Sequence, residues 1–212
     1  MRSKLQALQR PLDSGTRRRF AGQFPGMNWQ MLSLEDMAPG PWRNGSGTTR
    51  ELLAWPTPQD WDWRISVAEV VKNGPFSRFD GVQRWFAVLG GAGVRLLVDG
   101  HAHELTAQSA PFCFDGAQPC ACELIDGPTE DFNLMVRSDH VSPRLVRVLG
   151  ALDTRVEAGT RVAVYAWDDP VAVQLDKDFV TVPPHTLAWQ VLAEPASVRI
   201  EASTALWMEM TR

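Results

Sequence analysis

The stretch Trp63-Arg64-Ile65-Ser66-Val67-Ala68-Glu69-Val70-Val71 alternates bulky apolar residues with small or charged ones. Successive side chains of a strand point to opposite faces. Trp63, Ile65 and Val67 therefore share one face, and Arg64, Ser66 and Ala68 the other. The run is rich in β-branched residues, which favour a pleated strand. Its Arg-Ser-Ala face is charged, small and small. That leaves space and suits a pocket wall, though a solvent-facing strand would read the same way.

Working outward, the pattern recurs. Thr48–Ala54, Gln83–Leu89, Val94–Val98, Pro111–Phe114, Ala121–Ile125 and Asp131–Val136 read as strands. Gly90-Gly91, Asp99-Gly100, Asp115-Gly116 and Asp126-Gly127-Pro128 supply the turns between them. Further on come Arg161–Trp167, Ala172–Leu175, Leu187–Leu192, Val198–Glu201 and Leu206–Met210. Leu145–Leu152 is expected to link two halves, with a short helical turn. No helical stripe exceeds two turns. Many short strands with close turns predict an all-β barrel or sandwich.

A chain of 212 residues with 44% hydrophobic content can hold one large β domain or two small barrels sharing a core. A net charge of -4 speaks against a nucleic-acid-binding body. No apolar run approaches the roughly 18 residues of a membrane helix, and no secretory signal is expected. Cys113, Cys120 and Cys122 cannot all pair, which fits a reducing cytoplasm. Nine Trp against one Tyr supply rigid walls for pockets as well as cores. Residues 1 to 26 carry six basic residues against Asp13, a balance of +5 that leaves -9 on the rest. They read as a flexible basic extension, or as sequence ahead of a start at Met27. A nucleic-acid arm and an organellar targeting peptide are the competing readings. A short helix over Lys4–Gln9 would have nothing obvious to pack on.

The segment Pro41-Trp42-Arg43-Asn44-Gly45-Ser46-Gly47-Thr48-Thr49-Arg50-Glu51 combines a glycine-rich turn, neutral hydrogen-bonding side chains and three charges. Alone it reads equally well as an ordinary polar loop. It is no phosphate loop, because no Gly-Lys-Ser/Thr ending and no helix follow. Four more segments matter: Asp62–Ala68 (DWRISVA), Gly74–Arg84 (GPFSRFDGVQR), Pro111–Gly116 (PFCFDG) and Asp131–Met135 (DFNLM). In this order and spacing, the five resemble the HutD/Ves family from about Asn28 to Val136, and more weakly to the C-terminus. One departure is visible: the family loop tends to read Gly-Gly-Gly where this chain has Gly45-Ser46-Gly47. The resemblance implies a cupin-like bicupin (RmlC-like jelly roll) of two antiparallel β-barrel halves, about 27–140 and 141–212. It implies an association, in some members, with histidine utilisation, and a role in regulation or small-ligand binding.

On that reading the ligand is a small polar or anionic metabolite of histidine degradation. Arg64 or Arg84 would hold its carboxylate through forked hydrogen bonds. Asn44, Thr49, Ser66 and Asn133 would read its other polar atoms, and Glu51 would balance the arginines or accept from a ligand N–H. Trp42, Phe76 and Phe114 would exclude water, and Phe79 is a further candidate for the aromatic wall. An arginine pointing into a barrel needs an acid, for which Glu51 and Asp131 are the candidates; a purely structural ion pair remains open for Arg84. The alternative function is a cupin-class isomerase or hydrolase with Glu51 as general base. No cofactor and no metal are expected. His101-Ala102-His103-Glu104 follows a hairpin turn, and Glu104 comes too soon for cupin metal spacing. Cys120 and Cys122 read as small core residues. No nucleic acid and no membrane are expected as partners; a homodimer is.

Overall fold

The computed structural model describes residues 29–137, 139 and 141–211. The expectations for residues 1–26, the Lys4–Gln9 helix among them, lie outside that range. In chain order the elements are β1 (Gln30–Ser33), a 3-10 turn (Leu34–Asp36), β2 (Gly40–Pro41), β3 (Gly47–Pro56), β4 (Trp61–Val70), β5 (Gly74–Pro75) and β6 (Val82–Gly90). Then follow β7 (Val94–Val98), β8 (His101–Leu105), β9 (Phe112–Asp115), β10 (Cys120–Leu124), β11 (Thr129–Arg137) and β12 (Ser142–Val156). The last are β13 (Arg161–Ala166), β14 (Val171–Leu175), β15 (Asp178–Val182), β16 (Thr186–Val191) and β17 (Ala196–Thr211).

Three antiparallel sheets lie in layers. The middle sheet runs β2-β3-β4-β11-β6-β9, and the outer N-terminal sheet β5-β10-β7-β8. Between them lies an N-terminal barrel interior containing Val70, Phe86, Val88, Leu96, Cys120 and Cys122. The other face of the middle sheet carries Trp63, Ile65, Val67, Phe132 and Leu134. It packs on Tyr165, Trp189, Leu206 and Met208 of the third sheet. That third sheet, β1-β16-β13-β17-β14-β15 with β12 on β17, curls round a core of its own that includes Val164, Val173, Ile200 and Trp207. Alternation along β4 thus directs one face to the seam between the halves and the other into the N-terminal barrel. The fold is an all-β, cupin-like double barrel.

Three features differ from expectation. Leu145–Leu152 is the middle of a 15-residue strand and not a linker. Gly150, at φ 84, reads as a break, but the register shift between Val148 and Gly150 makes it a β-bulge. The strand bends so far that Arg144 Nη1 lies 3.4 Å from Thr154 Oγ1 on the same strand. Val198–Glu201 and Leu206–Met210 are parts of one strand, β17. The N-terminal β1 crosses over to pair with β16 in the sheet of the second half.

Candidate ligand-binding site

The inner face of the middle sheet is a grid of cross-strand rows. Arg64, Met135 and Arg84 stand side by side on β4, β11 and β6, with Phe114 of β9 beyond them. The next row is Glu51, Ser66, Asn133 and Phe86, and the third is Thr49, Ala68, Asp131 and Val88. Seven of the residues singled out from sequence therefore share one face: Thr49, Glu51, Arg64, Ser66, Arg84, Phe114 and Asn133. A bulge between Glu51 and Leu53 sends Leu52 to the seam while Glu51 stays opposite Ser66.

Arg84 is the centre of this face. Only 7% of it is exposed. Its guanidinium carbon sits 5.1 Å from the ring centroids of Phe76 and Phe114 and 5.8 Å from that of Phe79. It donates from Nη2 to Asn133 Oδ1 at 3.3 Å and from Nη1 to the Ser77 carbonyl at 3.4 Å. Its Nε has no partner among the described residues. Burial pushes its pKa down to about 10, and the Arg64 charge lowers it further while Cys120 opposes the shift. At neutral pH the group still carries its charge. Ring faces attract a cation and compensate part of the lost hydration.

The acid expected beside Arg84 is elsewhere. Glu51 Oε2 lies 2.7 Å from Arg64 Nε, with the two side chains 36% and 27% exposed. Asp131 accepts from Thr129 Oγ1 at 2.8 Å, two residues along β11 from Asn133. No carboxylate among the described residues pairs with Arg84. The register explains this: Arg64 is the nearer of the two arginines to β3, and the strand holding Asp131 presents Asn133 and Met135 to Arg84 instead.

The Pro41–Glu51 loop builds the rim. Gly45 takes φ 67, and a Cβ at Gly47 would lie 2.3 Å from the Glu69 carbonyl, so both positions require glycine. Ser46 has no such need and is buried; its hydroxyl and its backbone N–H both donate to Asn44 Oδ1, at 2.7 and 3.1 Å. Asn44 Nδ2 donates to the Pro75 carbonyl at 3.4 Å, so this side chain ties the loop to β5. Trp42 donates from its indole to Thr49 Oγ1 at 2.7 Å and meets Phe76 edge-on at 5.8 Å. Trp42, Phe76 and Phe114 thus line the aromatic side of the barrel.

From sequence Phe79 is a candidate wall aromatic and Asp131 a candidate acid for an inward arginine, and neither is assigned a ligand contact there. The Phe76–Phe79 pairing within GPFSRFDG was a usable signal, and so was the shared face of Thr129 and Asp131. Phe79 is placed by Gly116, where a Cβ would lie 2.7 Å from the Phe79 and Val82 carbonyls. His101–Glu104 is not a loop tip but most of edge strand β8. His103 stacks on Phe112 at 4.2 Å and Glu104 pairs with Arg95 at 2.7 Å. No group of three or more His, Cys, Asp or Glu among the described residues is placed to hold a metal. Cys120 and Cys122 are buried, and burial pushes their thiols up to about 11 and about 12.

A model of the HutD family matches residues 34–208. The chain belongs to the HutD family. It is similar to a conserved protein of unknown function from Pseudomonas aeruginosa PAO1, with 32% identity, a TM-score of 0.79, and 88% of this chain and 100% of that one covered. HutD from Pseudomonas fluorescens SBW25 is 30% identical with a TM-score of 0.76, over 86% of this chain and 98% of that one. A 21.2 kDa protein of the hutC 3′ region of Pseudomonas putida is 36% identical over 118 residues, which is 55% of this chain and 62% of that protein. The chain thus matches about three-fifths of the length of the curated relative. A likeness in fold alone extends to oxalate decarboxylase from Lactobacillus farciminis, with a TM-score of 0.59 and 9% identity. No helix among the described residues is long and apolar enough to cross a membrane.

Proposed function

We propose that this HutD protein is a receptor for a small monocarboxylate, a polar anionic metabolite of histidine degradation, and that its occupancy regulates that pathway. The observation that carries the reading is Arg84: a guanidinium only 7% exposed, with an unpaired Nε and no acid beside it among the described residues. A buried charge is retained only where something compensates it, and a ligand carboxylate does so through the forked geometry of arginine. The charge balance agrees. Glu51 cancels Arg64, which leaves the one positive charge of Arg84 for one carboxylate. Asn133 and the three phenyl rings hold the guanidinium in place, so little order is lost on binding. HutD of Pseudomonas fluorescens was studied in a formate condition. Formate is the smallest carboxylate and the minimal probe. The test is a thermal-shift and calorimetric screen with formate, glutamate, urocanate and formiminoglutamate. Formate or urocanate, the monocarboxylates of the set, is expected to bind and raise the melting midpoint more than the dicarboxylates glutamate and formiminoglutamate do. A folded protein that responds to none at millimolar concentration overturns the reading.

A further inference from the structure

Arg84 does not exhaust the polar interior of the N-terminal barrel. Asp131 lies on the same face of β11 and is 0% exposed. Thr129 holds one of its oxygens, Oδ2, at 2.8 Å. The other, Oδ1, has no hydrogen-bond partner among the described residues. Its cross-strand neighbours are Ala68 and Val88, which offer no side-chain donor. The thiol of Cys122 stands within electrostatic reach without hydrogen-bonding to it. A bare carboxyl oxygen in such a place is costly, and burial pushes the group up to about 7. Buried polar atoms left open in a native fold call for a partner.

The inner face of β4 between the levels of Asp131 and Arg84 carries small side chains, Ser66 and Ala68. Arg84 touches Asn133, and Asp131 lies two residues before Asn133 on β11, a rise of about 7 Å along a strand. One end of this stretch carries an uncompensated guanidinium, and the other an unpaired carboxyl oxygen.

We infer that Asp131 Oδ1 is the second pole of the site, and that the ligand is an extended monocarboxylate with an N–H donor about 7 Å from its carboxylate. The inference rests on the reading of Arg84 as the carboxylate anchor. An amide, an amidine or a ring N–H meets the requirement. Above about pH 7, where Asp131 is ionised, a second carboxylate does not, because it would face Asp131 with like charge. Thr129 is a positioning residue: by occupying Oδ2 it leaves Oδ1 for the ligand.

Two probes of equal length separate the poles. Glutaramate ends in an amide NH2, and 5-oxohexanoate puts a methyl ketone in its place. Calorimetry on the full chain is expected to show glutaramate binding about tenfold more tightly. Asp131→Leu removes the acceptor and should abolish that preference. Asp131→Asn keeps an oxygen at the position and should retain part of the preference. Melting curves establish that both variants fold. If formate fails to bind the wild type, the carboxylate reading falls and this inference with it. If formate binds but the two longer probes bind equally, or the preference survives in Asp131→Leu, only the second pole is overturned.

Discussion

The C-terminal barrel is filled by Val164, Val171, Val173, Val182, Ile200 and Trp207, all at 0% exposure. The buried polar residues of that half, Thr160, Thr186 and Gln190, carry no charge. In the N-terminal barrel, Phe86, Val88 and Leu96 share the interior with Arg84, Asp131 and Asn133. The two halves are built from the same kind of antiparallel sheet, yet among the described residues only the N-terminal one fully buries an arginine and a carboxyl group. Burying an unpaired charge costs several kcal/mol where an apolar residue would contribute about 1.5–3. The contrast teaches that the N-terminal interior is not optimised for stability, which is where a binding site is expected to differ from a scaffold. On this view the C-terminal barrel braces the middle sheet through the seam at Trp63, Tyr165 and Trp189.

The comparison can be broken from either side. The largest effect is expected in the scaffold. Trp207→Ala empties a fully buried site and removes the indole bond to Glu209 at 2.8 Å. Chemical denaturation should show a loss of about 3–5 kcal/mol, with carboxylate binding unchanged at temperatures where the variant is folded. A loss below about 1 kcal/mol would mean that this core is not load-carrying in the way its burial implies.

The next effect lies in the pH dependence of stability. Asp131 is raised from 3.8 to about 7 in the folded state, chiefly by burial, with Thr129 opposing and Glu130 adding to the shift. Between these values the folded chain keeps a proton that the unfolded chain has lost. Stability should therefore fall as pH rises from about 4 to about 7, by an amount on the order of a few kcal/mol, and level off above. Asp131→Asn should flatten that slope and be the more stable protein at pH 8. A wild-type slope of the opposite sign across this window, unaffected by the substitution, would contradict the assignment.

The smallest effect belongs to the rim. Glu51→Gln frees Arg64 from a half-exposed ion pair worth about 0.2–1 kcal/mol, so carboxylate affinity should rise about two- to fivefold in calorimetry. Weaker binding would make Glu51 a direct ligand contact instead.

Much of this arrangement was legible in the sequence. Period-two alternation in WRISVA and DFNLM put Arg64 and Ser66 on one face, and Asp131 and Asn133 on another, and pairing of β4 with β11 merged the two. Ordered segments from PWRNGSGTTRE to DFNLM pointed to the family. The pairing of charges was not legible. Which acid meets which arginine depends on cross-strand register, and on the bulge at Leu52 that keeps Glu51 inside. Asn44 is a candidate ligand contact from sequence because its side chain is polar and lies in a glycine-rich loop, and its role in tying that loop to β5 was not legible. Only the fold brings it to Ser46 and the Pro75 carbonyl, partners 2 and 31 residues away.

The central claim is that Arg84 is held uncompensated for a ligand carboxylate. Formate titrated into the wild type and into Arg84→Met tests it most directly, with melting midpoints recorded alongside. The account predicts formate binding to the wild type, a loss of about 100-fold or more in the variant, and a variant that melts no lower because a buried charge has been replaced by an apolar side chain of similar length. Equal formate affinity in the two proteins, or a variant that unfolds while the wild type binds nothing, would show that Arg84 is structural and that the site lies elsewhere.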